Sequence, residues 1–143
     1  MEEKRVKMKA TISKKNKYWI SKHRYYELAH FCRQYDEWKK NYAKLQGDFS
    51  YSHGVTVNTC EGKAIIKPVE KCAERMMYFT ERMGIVEQSA IKASPELAKY
   101  IIRGATKGLS YDKMKTTDNI PCCREVYYEY YRRFFWHLSQ IRE

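Results

Sequence analysis

Apolar residues recur at helical spacing along most of this chain. Leu28, Phe31, Tyr35, Trp38, Tyr42 and Leu45 follow one another at intervals of 3, 4, 3, 4 and 3. That rhythm lays one apolar stripe along a helix and predicts a helix over residues 21–45. Ser21 is the expected N-cap and Gly47 the expected stop. Arg33, Asp36, Glu37, Lys39, Lys40 and Lys44 fall off the stripe and read as a solvated surface. A second stripe, Val69, Cys72, Met76, Phe79, Met83, Val86 and Ala90, repeats at 3, 4, 3, 4, 3, 4 and predicts a helix over 69–93, with Pro68 near its start. Gly84 sits off this stripe, where it allows a close approach or a slight bend. Between the helices, Gly47, Asp48, Ser50, Ser52, Gly54, Asn58, Thr59 and Gly62 predict a connector loop over 47–68, in which Val55 and Val57 with Thr56 are a weak strand candidate. Two stripes of matched length predict an antiparallel helical pair. The same stripes can pair between two chains, which would give a homodimer, and periodicity does not choose.

The last fifty residues read as three helices. Ser94-Pro95-Glu96 supplies an N-cap, a proline for the first helical position and an acid for the first turn. Leu97, Ile101 and Ala105 then share a face that Tyr100 widens, until Gly108 ends the helix. Leu109-Ser110 opens a short helix over Tyr111–Thr117, and Asp118-Asn119 makes a turn in which Asn119 takes the left-handed conformation. Ile120-Pro121 leads into a long helix from Cys122 to about Ile141. This is the layout of a helix-turn-helix, with Met114, Ile120 and Val126 expected to pack the corner. Cys122, Cys123, Arg124, Glu125 and Tyr128 would then be the outward residues of the final helix. Arg124 can fork onto guanine or a phosphate, and Tyr128 can meet a phosphate or a thymine methyl. Lys115, Arg132 and Arg133 are candidates for backbone contacts. Further along, Tyr127, Tyr128, Tyr130, Tyr131, Phe134, Phe135 and Trp136 exceed what one inward stripe holds. The expected inward face is Val126, Tyr130, Phe134, His137 or Leu138, and Ile141. Tyr127, Tyr131 and Phe135 then need another surface: more core, a second subunit, or nucleic-acid bases.

Charge adds a direction to this plan. The formal net charge is +11, and seven of those excess charges fall within residues 1–24. Residues 1–20 read as a basic arm, with Lys14, Lys15 and Lys17 as candidate phosphate contacts. An acidic protein surface would attract such an arm too. The chain is 43% hydrophobic and 15% aromatic, enough to build a core, so full disorder is excluded. No run approaches the 18 apolar residues of a membrane span, and the basic start lacks the apolar run of a secretory signal. Five cysteines without a paired framework read as reduced thiols inside a cell. The expected fold is all-α and single-domain: a basic arm (1–20), a long helical pair with its connector (21–93), and a helix-turn-helix region (94–143).

Catalytic and metal chemistry find little support. His53, Cys60 and Cys72 have no zinc-finger spacing, there is no CxxC, and the adjacent Cys122 and Cys123 cannot easily share one tetrahedral ion. His23, His30, His53 and His137 lie in no HExxH or paired-carboxylate setting. His30 and Cys32, two apart on one helix, point away from each other. There is no glycine-rich phosphate loop. The reading is therefore not an enzyme, with neither metal nor cofactor.

The stretch ELAKYIIRGATKGLSYDKMKTTDNIPCCREVYYEYYRRFFWHLSQIR resembles the C-terminal half of phage and prophage late-gene transcriptional activators of the RinA/ArpU type. SKKNKYWISKHRYYELAHFCRQYDEWKK resembles the N-terminal part of the same group. The resemblance implies a helix-turn-helix similar to sigma-factor region 4. Ser110 to Thr117 would be the supporting helix and Cys122 to about Arg132 the recognition helix, although Ile120 to Val126 holds one residue more than sigma-type spacing. It implies a transcription regulator that binds double-stranded DNA in the bacterial host cytoplasm, with RNA polymerase as a partner. Two other roles fit a small basic phage protein. One is an interaction protein that inhibits a host nucleic-acid enzyme such as a nuclease, as an anti-CRISPR protein does. The other is a packaging-recognition subunit, which would form a ring.

Overall fold

A computed structural model describes residues 16–55 and 62–142, with backbone alone for 49–55 and 62–68. Among the described residues six helices follow one another: α1 (Lys22–Arg33), α2 (Tyr35–Val55), α3 (Gly62–Ala93), α4 (Ala98–Lys107), α5 (Tyr111–Thr117) and α6 (Arg124–Ile141). The fold is all-α, with no strand among the described residues.

The described residues divide into two compact units, one holding those up to Arg33 and from Ile85 onward, the other those between Gln34 and Gly84. The boundaries fall at 33/34 and 84/85, not between the expected segments 21–93 and 94–143. The first apolar stripe is accordingly split. Leu28 and Phe31 are buried in the first unit and Trp38 in the second, and Gln34 separates α1 from α2. Ser21 caps α1 as expected, its Oγ accepting from Arg24 N–H at 3.3 Å. Gly47 does not stop the helix. α2 runs on to Val55, past an open site where a side chain at Gly47 would meet nothing within 4 Å. A glycine inside a helix costs only about 1 kcal/mol, which neighbouring turns can offset. The predicted loop over 47–68 is therefore mostly helix, since α3 begins at Gly62, ahead of Pro68. The strand candidate fails at Val55, and Thr56 and Val57 lie outside the described residues.

In the second unit the two stripes meet as an antiparallel pair. Cys72 Sγ donates to the Leu45 carbonyl at 3.4 Å, while Tyr42, one turn earlier, lines a groove with Ala73, Met76, Met77, Thr80 and Glu81. Trp38 and Phe79 are the deeply buried members.

The first unit packs α1 and α4 against α6, with α5 across the end of α4 and α6. Its core holds Leu28, Phe31, Val86, Ala90, Ile101, Met114, Ile120, Phe134, Phe135 and Leu138. Arg24 ties α1 to the end of α6, its Nε donating to Ser139 Oγ at 3.2 Å and its Nη2 to the Ser139 carbonyl at 3.2 Å. Arg142 lies 4.0 Å over the Phe31 ring and pairs with Glu27 at 3.2 Å. The inward face of α6 differs from the expected one. Tyr127, Tyr131, Phe134, Phe135 and Leu138 are buried, whereas Val126 is 38% exposed and Tyr130 only half-buried. The stripe expected to need another surface finds one in its own chain: Tyr25 of α1 lies 4.9 Å from Phe135, and Tyr111 of α5 lies 5.8 Å from Tyr127. Part of the predicted arm is also folded. Asn16 to Tyr18 form a turn, and the Tyr18 ring stands edge-on to Trp136 at 5.5 Å. Residues 1–15 lie outside the described residues.

Candidate nucleic-acid interface

The corner between α5 and α6 is built by short-range chemistry. Ser94 accepts from Leu97 N–H at 3.3 Å and so caps a turn over 95–97, not the helix itself: α4 starts at Ala98 with Leu97 at its N-cap, three residues later than Ser94-Pro95 predicts. Gly108 ends α4 in the left-handed region (φ +67°), where its own N–H and that of Leu109 both donate to the Gly104 carbonyl. A Cβ at Gly108 would also strike the Arg33 guanidinium, so two demands fix glycine there. Ser110 is extended and accepts from Lys113 N–H at 3.3 Å, starting α5 where the sequence predicts. Asn119 adopts φ +52°, the expected left-handed turn, and throws the chain toward α6.

Apolar plugs and polar ties then hold the corner shut. Met114 and Ile120 are fully buried. The Tyr111 hydroxyl donates to the Cys122 carbonyl at 2.5 Å, and Tyr111 N–H donates to the Tyr128 hydroxyl at 3.2 Å. Lys115 Nζ donates to the Ile120 carbonyl at 3.3 Å. Arg103 of α4 pairs with Asp118 at 2.6 Å. The third expected plug, Val126, points outward, and Tyr127 takes its place. The inward position thus falls one residue later than expected, and a step of one along a helix turns the face by about 100°. The final helix starts at Arg124, not Cys122, with Cys123 as its extended N-cap. Cys122 is half-buried, and burial raises its thiol pKa.

The outward turn of α6 therefore presents Cys123, Arg124, Glu125 and Val126. The Arg124 side chain is 65% exposed, lies 5.8 Å over the Tyr128 ring and pairs with exposed Asp112 at 3.6 Å. An ion pair so exposed holds its partners weakly and leaves the guanidinium able to exchange them. Tyr128 and Lys115 come together with Arg124 at the corner, yet each spends one hydrogen bond on holding it. Arg132, half-buried, lies about two turns further along α6. Arg133 bonds Glu129 at 2.8 Å. Lys17 stands apart from the corner, beside Tyr18 against Trp136, and Lys14 and Lys15 lie outside the described residues.

Tyr111 is a residue that sequence reasoning missed, and Tyr127, expected to find a further surface such as more core, was not expected to replace Val126 as the plug. Tyr127 is wholly enclosed, with its hydroxyl at the Gly104 backbone and without a hydrogen-bond partner. Burial pushes its pKa far above the ordinary tyrosine value. The available signal was the pairing of a glycine on one helix face with a large residue on another, which marks a close crossing. Among the described residues no group of three or more His, Cys, Asp or Glu is placed to hold a metal ion. No described helix is long and apolar enough to cross a membrane. No protein-family model, curated protein or solved structure matches the chain.

Proposed function

We propose that this chain is a sequence-specific DNA-binding transcription regulator of the phage late-gene activator kind, reading double-stranded DNA with the first turn of α6. One observation carries the reading: a corner closed by buried Met114 and Ile120 and turned by left-handed Asn119 leaves Arg124 65% exposed on the first turn of the following helix. Such a geometry lets a helix front enter a major groove, where an arginine can take both guanine acceptors. Lys113 and Lys115 flank the corner and would hold phosphates. The basic N-terminal arm adds affinity without sequence preference. The protein would act in the host cytoplasm, with RNA polymerase as its partner, and would itself catalyse nothing. Selection of bound duplexes from a random pool tests this reading, which expects one enriched motif and weaker enrichment with Arg124→Ala.

One observation favours a second reading, an inhibitor of a host nucleic-acid enzyme. Met77 and Tyr78 are 62% and 47% exposed, and Met77 borders an open groove of about 360 Å³ lined by Tyr42, Ala73 and Met76. Apolar side chains left in water mark a protein-binding surface. A stoichiometric, salt-resistant complex with a host nuclease and no preferred DNA sequence would select this reading over the first.

A further inference from the structure

The far end of α6 gathers like charges from three separate segments. Lys17 comes from the turn before α1, Lys92 from the last turn of α3, and Arg133 from α6. Lys17 and Arg133 share one ring: Lys17 Nζ lies 5.6 Å and the Arg133 guanidinium 5.0 Å from the centroid of Tyr18. That ring stands against Trp136 at 5.5 Å, and Trp136 is 5.1 Å from His137. All three cations act on His137, whose pKa is lowered first by burial and then by Lys92, Lys17 and Arg133. Glu129 offsets part of this charge through Arg133, but Lys17 and Lys92 make no ion pair among the described residues. Arg133 Nε is enclosed without a hydrogen-bond acceptor.

Cations brought together from distant segments repel one another, and the arrangement costs free energy unless an anion joins them. A buried N–H without an acceptor carries a desolvation penalty that such an anion would relieve. We propose that Lys17 and Arg133, both set against the Tyr18 ring beside Trp136, form together with Lys92 a second binding site for nucleic-acid phosphates, separate from the corner. His137 lies thirteen residues beyond Arg124, which is about 20 Å along α6. The site rests on the DNA-binding reading for its ligand but not for its existence, since the cluster is a property of the fold. It has a built-in reporter, because a phosphate among these cations offsets their share of the downward shift and raises the His137 pKa.

The experiment uses the full chain. The His137 imidazole is titrated by NMR alone, with a short mixed-sequence duplex, and with tripolyphosphate, and duplex affinity is measured across a salt series. Lys17→Ala/Lys92→Ala is compared with Lys39→Ala/Lys40→Ala, two exposed lysines of the other unit. The expected result is a duplex-induced rise in the His137 pKa that Lys17→Ala/Lys92→Ala abolishes. The same variant should lower the salt slope by about 0.9 for each phosphate it no longer neutralises, while Lys39→Ala/Lys40→Ala changes neither. If the duplex binds with His137 unmoved and the two variants give equal slopes, the second site is refuted and the corner reading stands. If no duplex binds but tripolyphosphate raises the His137 pKa, the site stands and the DNA reading fails. If neither probe moves His137, the site is refuted.

Discussion

The crossing of α4 on α6 positions the corner, and Gly104→Ala tests that crossing. On an isolated helix this change would stabilise by up to about 1 kcal/mol, because alanine is the better helix former. Here the new methyl would meet the Tyr127 hydroxyl, with Met114 Cε at 3.3 Å and the Leu109 carbonyl at 3.5 Å. Tyr127 cannot swing away: its exposure is zero, and its ring is held by Tyr111 at 5.8 Å, Tyr128 at 5.1 Å and Tyr131 at 5.7 Å. Overpacking of this kind costs about 1–3 kcal/mol, so Gly104→Ala should destabilise by roughly 0–2 kcal/mol net. Tyr127→Phe removes a buried hydroxyl that has no partner, and should be neutral or stabilising by about 1 kcal/mol. Because the hydroxyl is the obstacle, the double variant should recover most of the loss, with a coupling energy of about 1–2 kcal/mol. Urea denaturation followed by circular dichroism, comparing midpoints at constant slope, reads all three. A stabilised Gly104→Ala, or a Tyr127→Phe that loses more than about 1 kcal/mol, would show that the helices do not cross at this point as described.

Other consequences follow from the same packing. Gly108→Ala places a Cβ on a residue at φ +67° and into the Arg33 guanidinium. It should cost about 1–2 kcal/mol in the same denaturation assay. Burial raises the pKa values of Tyr25, Tyr127 and Tyr131. Their neutral forms therefore stabilise the fold fully below pH 10, and that stability is lost as pH rises above it. Ultraviolet titration should show these phenols ionising late, together with unfolding, and an early titration of all thirteen tyrosines would contradict their burial. Burial, then the nearby cations, shift His137 downward, so the fold takes up its proton at lower pH than the unfolded chain does and stability should fall as pH drops below about 6.5, a loss that His137→Gln should reduce. Deleting residues 2–15 should weaken binding to all duplexes alike and flatten the salt dependence, as gel-shift titrations would show.

The C-terminal half was legible because its signals are local. Gly108, Ser110 and Asn119 each announce a backbone state that few other residues favour, and each takes that state, whereas Ser94 holds only the turn ahead of α4, which begins at Ala98 rather than at Pro95. Helix α5 spans the predicted residues. The N-terminal half was misread because a stripe reports burial but not which core does the burying. Leu28 and Trp38 share a rhythm yet belong to different units. Gly47 failed as a stop because a helix facing open space tolerates glycine. On α6 the aromatics are so dense that period alone fits two faces. The choice fell to contacts from Tyr25 and Tyr111, far away in sequence, which draw Tyr131 and Tyr127 inward and leave Val126 outside. Arg124 kept its outward place through that change, but Tyr128 became a brace for the corner as well as a neighbour of the groove-facing turn.

Quantitative affinity of the intact chain and of Arg124→Ala, for a selected duplex and for a scrambled one, bears most directly on the central claim. The account predicts that the variant stays folded and loses about 1–3 kcal/mol of discrimination between the two duplexes. Its affinity for the scrambled duplex should change far less. Unchanged discrimination with Arg124 removed, or no preference for any duplex in the intact protein, would contradict the assignment of α6 as the reading helix.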